Sequence, residues 1–179
     1  ITYLKNCASE PEVKNLTNFL KNMGVKIHWK NNRELKIVGS KKLRSAKHKV
    51  MFDRIEAGTF LIAGALIGNN FKVSGIIPAI LKNEIGILKK MGVKIKVGKK
   101  SVTIFKSKNL RSVSINTQPY PGFPTDLQAQ IMVLMTKAKG ISKIKENIFE
   151  NRFMHVPELK RMGANIKILN KTAIIKGPT

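Results

Sequence analysis

Cysteine is nearly absent: Cys7 is the only one in 179 residues. That excludes an intrachain disulfide and a cysteine-built metal cluster, and it makes a reducing, cytoplasmic setting the expectation. Long apolar runs are missing too. The longest, residues 60–68, falls far short of the roughly 20 residues that span a bilayer, so membrane insertion is not expected. Acidic residues are scarce, 10 against 34 basic ones, which leaves a net charge of +24. Such a charge attracts polyanions. Arginine, however, accounts for only 6 of the basic residues and lysine for 28. Arginine is the side chain that reads bases and grips phosphates with two parallel hydrogen bonds. The lysines are spread through every segment, and Lys, Asn and Ile share A/T-rich codons. The expectation is diffuse attraction to polyanions without specific nucleic-acid recognition. The GxGxxG, Walker and GxSxG patterns are all missing, which argues against dinucleotide enzymes, P-loop NTPases and α/β hydrolases. No His/Cys/Asp set has metal-ligand spacing, so neither a metal nor another cofactor is expected.

What the chain does have is repetition. Met23-Gly24-Val25-Lys26-Ile27 returns as Met91-Gly92-Val93-Lys94-Ile95 and, more loosely, as Met162-Gly163-Ala164-Asn165-Ile166. The spacings of 68 and 71 residues are those of a structural repeat. An amphipathic helix precedes each copy. Val13, Leu16, Leu20 and Met23 share one face, as do Leu81, Ile85 and Leu88, and the third helix, near 158–162, is shorter. Glycine after each Met suits a helix end that needs positive φ. Two strands should follow each glycine: 25–29 with 35–38, 93–97 with 101–105, and 164–169 with 172–176. Upstream, residues 53–67 and 125–137 read as apolar helices. Each opens on a capping box, with Asp53 or Thr125 as the cap and Glu56 or Gln128 three residues on. Strands over 71–76 and 141–148 come next. The unit is therefore helix, strand, helix, strand, strand, about 70 residues long. Helices apolar nearly all round need cover on several sides, so an α/β (α+β) fold with a helical centre and sheets outside is predicted. The first unit begins at its strand, 2–5, and its leading helix is expected ahead of Ile1.

Several motifs are more specific. Phe123-Pro124-Thr125-Asp126-Leu127-Gln128-Ala129-Gln130, Glu150-Asn151-Arg152-Phe153-Met154-His155-Val156-Pro157-Glu158-Leu159 and Asp53-Arg54-Ile55-Glu56-Ala57-Gly58-Thr59-Phe60 stand at matching spacing with Glu10-Pro11-Glu12. Together they resemble the enolpyruvyl transferases of peptidoglycan synthesis, within the EPSP synthase superfamily, over essentially the whole chain. The resemblance implies an inside-out αβ barrel, or prism, in two domains of three units each, with the active site in the cleft between them. Residues 1–49 would be the last unit of one domain and 50–179 two of the three units of the other. It implies transfer of the enolpyruvyl group of phosphoenolpyruvate to the 3-hydroxyl of UDP-N-acetylglucosamine. It also implies a chain well over twice this length. The Lys-Asn pair that binds phosphoenolpyruvate, the active-site cysteine loop and the later arginines would lie outside these residues. Cys7 matches no part of that loop, so the 179 residues alone are expected to be inactive. The sister reaction on shikimate 3-phosphate and a noncatalytic basic binding module are the alternatives. The run 149–155 favours the nucleotide-sugar branch over the sister reaction.

The resemblance also gives residues their roles. Asp126 would be the general base at the sugar hydroxyl, whereas its position alone says only that it complements a helix dipole. Arg152, by itself a solvated charge, would face anionic substrate groups at the cleft. Phe149 would lie beside the nucleotide sugar, with Ile148 giving a backbone contact. Asp53, Arg54 and Glu56 read as hinge or structural residues at a helix head. Glu10 and Glu12 flank Pro11 at a helix start, where acids are expected on structural grounds. His155 reads as structural, and the run of Pro119, Pro121 and Pro124 as a stiff loop that aims the next helix.

Overall fold

Pro11 opens the first helix and Gly24 closes it. The computed structural model describes residues 1–179, which divide into two compact units, Ile1–Met51 and Phe52–Thr179. In the first unit the elements are β1 (Thr2–Leu4), α1 (Pro11–Asn22), β2 (Lys26–Asn31) and β3 (Glu34–Val38). The strands form an antiparallel sheet in the order β1-β3-β2, with Tyr3 opposite Lys36 and Ile27 opposite Ile37. Ile27 and Leu35 are its most buried apolar side chains. Of the face read from the sequence, Val13, Leu20 and Met23 are half-buried, but one position departs from it. Leu16 is exposed and Thr17 is buried. The cause is polar: the Thr17 hydroxyl donates to the Lys14 carbonyl at 2.9 Å and accepts from the Trp29 indole N–H at 3.2 Å. Glu10 precedes α1 without capping it through its side chain, and Glu12 lies in the first turn.

The second unit holds two copies of the repeat. The first copy comprises α2 (Arg54–Ile67), β4 (Phe71–Ser74), a 3-10 turn at Pro78–Leu81 that runs into α3 (Lys82–Lys90), β5 (Lys94–Val97) and β6 (Ser101–Phe105). Next come β7 (Ser114–Asn116), a 3-10 turn at Thr125–Leu127, α4 (Gln128–Thr136), β8 (Gly140–Lys145), α5 (Val156–Arg161), β9 (Asn165–Leu169) and β10 (Thr172–Gly177). One sheet has the order β4-β6-β5 and is antiparallel. The other has the order β7-β8-β10-β9, with β7 parallel to β8. Strand β7 is not predicted from the sequence. Three residues carry no readable alternation, and the strand exists through its pairing, with Ile115 opposite Ile144. In all three sheets of the protein the first strand of the closing hairpin (β2, β5 or β9) lies at an edge.

The repeated Met-Gly pairs end α1, α3 and α5 in one way. Gly24, Gly92 and Gly163 have φ of 102°, 88° and 96°. The N–H that follows each glycine donates back to a carbonyl five residues earlier, at 3.0 Å in every case: Val25 to Leu20, Val93 to Leu88 and Ala164 to Leu159.

Helices α2 and α4 lie at the centre of the second unit and cross closely. A methyl group on Gly58 would overlap Leu127, so glycine is what admits the neighbour. Gln130 reaches across to the Thr59 hydroxyl at 3.2 Å. Leu61, Leu127, Ile131, Met132, Leu134 and Met135 are fully buried there. Each such side chain contributes roughly 1.5–3 kcal/mol relative to exposure. The sheets pack outside this pair, as the apolar patterns predict. Asp53 caps α2 as expected, its Oδ1 accepting from the N–H groups of Ile55 at 2.7 Å and Glu56 at 3.2 Å. The sister helix departs from the prediction: Pro124 is the residue before the turn, and Thr125 makes no cap. No helix is long and apolar enough to cross a membrane.

A candidate active site on a buried carboxylate

The alternation of β8 continues one residue past the strand. Ser142, Ile144 and Glu146 all point inward and are buried. An ionised carboxylate in an interior is costly unless it is hydrogen-bonded. Glu146 meets that condition with four donors. Its Oε1 accepts from the Thr117 hydroxyl at 2.7 Å, the Ile148 N–H at 2.9 Å and the Phe149 N–H at 3.3 Å. Its Oε2 accepts from the Thr125 hydroxyl at 2.9 Å. Burial pushes the carboxyl up, but these bonds outweigh it and hold the group below the ordinary glutamate value. The Thr117 hydroxyl also accepts from the Asn147 N–H at 2.9 Å.

This explains why Thr125 does not cap its helix. Its hydroxyl is committed to Glu146. Asp126, the next residue, stands half-exposed in the 3-10 turn and accepts from the Arg152 guanidinium at 2.6 Å. The guanidinium carbon of Arg152 lies 5.3 Å from the Phe149 ring centre. Phe149 and Ile148 are both exposed, at 53% and 36%. The ring and the Asp–Arg pair thus stand together on a solvent-exposed face. A cavity of about 640 Å³ opens on this loop, lined by Phe149, Arg152, Phe153, Ile168, Asn170 and Lys171 among others. Asp126 does not line it. Arg152 joins the two, forming part of the cavity wall and bonding to Asp126.

His155 ends the loop half-buried. Burial first and the Arg152 charge second lower its pKa, so the imidazole is kept neutral. Arg54, at the head of α2, is 7% exposed with its guanidinium 5.7 Å from the Tyr120 ring. Buried Glu84 is raised by desolvation, only partly offset by the Arg54 charge. Asn83 donates to the Pro121 carbonyl at 3.1 Å. Arg54 and Asn83 thus hold the proline-rich loop that leads to Asp126. Glu56 is exposed beside the cap. Glu10 and Glu12 belong to the first unit. The structure therefore brings Asp126, Ile148, Phe149 and Arg152 together around Glu146, a residue the motifs alone do not single out. Cys7 is a free thiol, and no group of three or more His, Cys, Asp or Glu side chains is assembled to hold a metal.

The family model of EPSP synthase (3-phosphoshikimate 1-carboxyvinyltransferase) matches residues 1–179. The chain belongs to the EPSP synthase family. Within it, the chain is 56% identical over 176 residues to the UDP-N-acetylglucosamine 1-carboxyvinyltransferase of Pelagibacter ubique, covering 98% of this chain and 42% of that relative. It is 49% identical over 177 residues to UDP-N-acetylglucosamine 1-carboxyvinyltransferase 1 of Caldanaerobacter subterraneus, covering 99% and 43%. The chain thus spans less than half the length of these relatives. Among solved structures it resembles the enolpyruvyl transferase NikO from Streptomyces tendae, with a TM-score of 0.89 at 26% identity over 99% of this chain and 42% of NikO. EPSP synthase from Acinetobacter baumannii matches in fold alone, at a TM-score of 0.51 and 17% identity. The fold is the enolpyruvyl transferase fold, present in part.

Proposed function

We propose that the protein carrying this chain transfers the enolpyruvyl group of phosphoenolpyruvate to the 3-hydroxyl of UDP-N-acetylglucosamine in the cytoplasm, with release of phosphate. The observation that carries the reading is the Asp126–Arg152 pair set beside the exposed Phe149 ring. It is supported by relatives at 49–56% identity that bear this activity in their names. In this reading the residues serve the sugar half of the reaction. Asp126 takes the proton from the sugar 3-hydroxyl as the sugar oxygen bonds to the central carbon of phosphoenolpyruvate and the methylene carbon takes up a proton. Loss of a proton from that carbon then expels phosphate and restores the double bond. Arg152 steadies that carboxylate and offers charge to anionic substrate groups. Phe149 supplies an apolar platform. The Ile148 N–H is already given to Glu146, so a contact through Ile148 falls to its carbonyl oxygen. Residues 1–49 belong to one domain of the whole protein and 50–179 to the other.

The test is phosphate release by the full-length protein with UDP-N-acetylglucosamine or shikimate 3-phosphate as acceptor. We expect turnover with the sugar nucleotide alone. Asp126→Asn should lower kcat by about 10²–10⁴-fold, the usual worth of a general base, while the sugar nucleotide still binds. Turnover on shikimate 3-phosphate instead, or an undiminished Asp126→Asn enzyme, would overturn the reading.

A further inference from the structure

Glu146 has a burial and a bond count that the reaction above leaves unused. It is 1% exposed and stands at the wall of the cavity beside Phe149 and Arg152, with both oxygens already taken up by protein donors. Its two oxygens face different parts of the site. Oε2 holds Thr125, the residue before the base Asp126. Oε1 holds the N–H groups of Ile148 and Phe149, the residues assigned to the sugar nucleotide, together with the Thr117 hydroxyl. The segments so joined are far apart in sequence. Asn147 also ties the Thr117 segment to the loop, and the Asp126–Arg152 ion pair is the other side-chain link between the base and that loop. That pair is half-exposed, and an exposed ion pair fixes geometry poorly. The buried carboxylate has no such weakness, because its bonds are charge-assisted and shielded from water.

We infer that Glu146 is a positioning residue: through Thr125 on one oxygen and the Ile148–Phe149 backbone on the other, it sets the distance between the general base and the surface that holds the sugar. The inference rests on the proposed role of Asp126. Catalysis of this kind depends on reach, since a misplacement of about 1 Å can cost on the order of 10²-fold in rate. The two threonines divide the labour. Thr125 serves the base, and Thr117 serves the sugar-binding loop by bonding both Glu146 and the Asn147 N–H.

Glu146→Ala would cut four bonds at once and threaten the fold. The informative variants are the near-isosteric Thr125→Val and Thr117→Val, made in the full-length protein and first matched to wild type in circular dichroism and melting. Thr125→Val should lower kcat about tenfold, the worth of one charge-assisted hydrogen bond, with KM for UDP-N-acetylglucosamine within about twofold. Thr117→Val should act mainly by raising that KM. A general structural loss would lower rate whatever stands at position 126. The decisive measurement is therefore Thr125→Val in an Asp126→Asn background, read by single turnover. There we expect no further loss, because the base being aimed is gone. A tenfold loss that persists in that background overturns the inference, as does an unchanged kcat in Thr125→Val alone. Full activity of Asp126→Asn by itself would strike instead at the proposed function, so the two failures are distinguishable.

Discussion

The crossing of α2 and α4 can be perturbed at one atom. A methyl group on Gly58 would stand 3.3 Å from Leu127 Cδ2 and 3.4 Å from Cγ, and well inside contact distance of Cδ1. Ordinary carbon–carbon contacts lie near roughly 3.5–4.0 Å. Leu127 must therefore move, but it is fully buried and has no open side. Overpacking of this kind costs about 1–3 kcal/mol. Alanine returns about 1 kcal/mol through better helix propensity and a less free unfolded chain. Gly58→Ala alone should thus destabilise by about 1 kcal/mol. Leu127→Ala alone should cost about 2–5 kcal/mol as a core cavity. In the Leu127→Ala background the clash is gone, the propensity gain remains and the new methyl fills part of the void. There Gly58→Ala should stabilise by about 1 kcal/mol, so the coupling is about 2 kcal/mol, within the range measured for residues in contact. Urea unfolding of the four proteins measures it. The same destabilisation in both backgrounds would refute the reasoning. Leu127 adjoins Asp126, so Gly58→Ala should also depress kcat through the same displacement.

Two further outcomes follow from the structure. The folded protein takes up a proton at His155 less readily than the unfolded chain, whose imidazole titrates near about 6.5. The stability tied to that group is full above this pH and falls as the pH drops through it. His155→Asn should flatten the stability profile between pH 7 and 5, and an unchanged slope in thermal melts would assign it to another group. Gly177→Ala would press a methyl group against backbone oxygens at the end of α4, 2.7 Å from Thr136 and 2.9 Å from Met135, and closer to that of Ala138. Backbone cannot rotate aside, so a loss of about 3 kcal/mol is expected. For a chain of this size that is a fall in Tm of about 6–12 °C, and a melt within 2 °C of wild type would contradict it.

Much of the fold is legible in the sequence because the repeat presents the same signals each time. The Met-Gly pairs end three helices as read, and the strands that follow are shifted by only a residue or two. The all-round apolar patterns of 53–67 and 125–137 mark the central helices. The misses share a cause. Strand β7, the outward Leu16 and the uncapped head of α4 each depend on a partner distant in the chain: Ile144, Trp29 and Glu146 respectively. Local pattern does not report such pairings. The exposed residues of the proposed site, Asp126, Phe149 and Arg152, are visible as motif. Glu146 is hidden in it, although one signal was present. Counting by twos from Ser142 and Ile144 places an acid on the inward face of a lysine-rich strand, where only a built network could accept it.

The edge strands give the abundant lysines a consequence. Each of β2, β5 and β9 presents unpaired backbone groups along one side, the arrangement that lets sheets of separate molecules zip together. Lys26 and Lys30, Lys94 and Lys96, and Lys167 stand exposed on those three strands. Two copies approaching edge to edge would have to bring ammonium groups opposite one another and strip their water. Whatever codon usage contributed to the charge, lysines spread through every segment also fall on these edges, where they oppose such pairing.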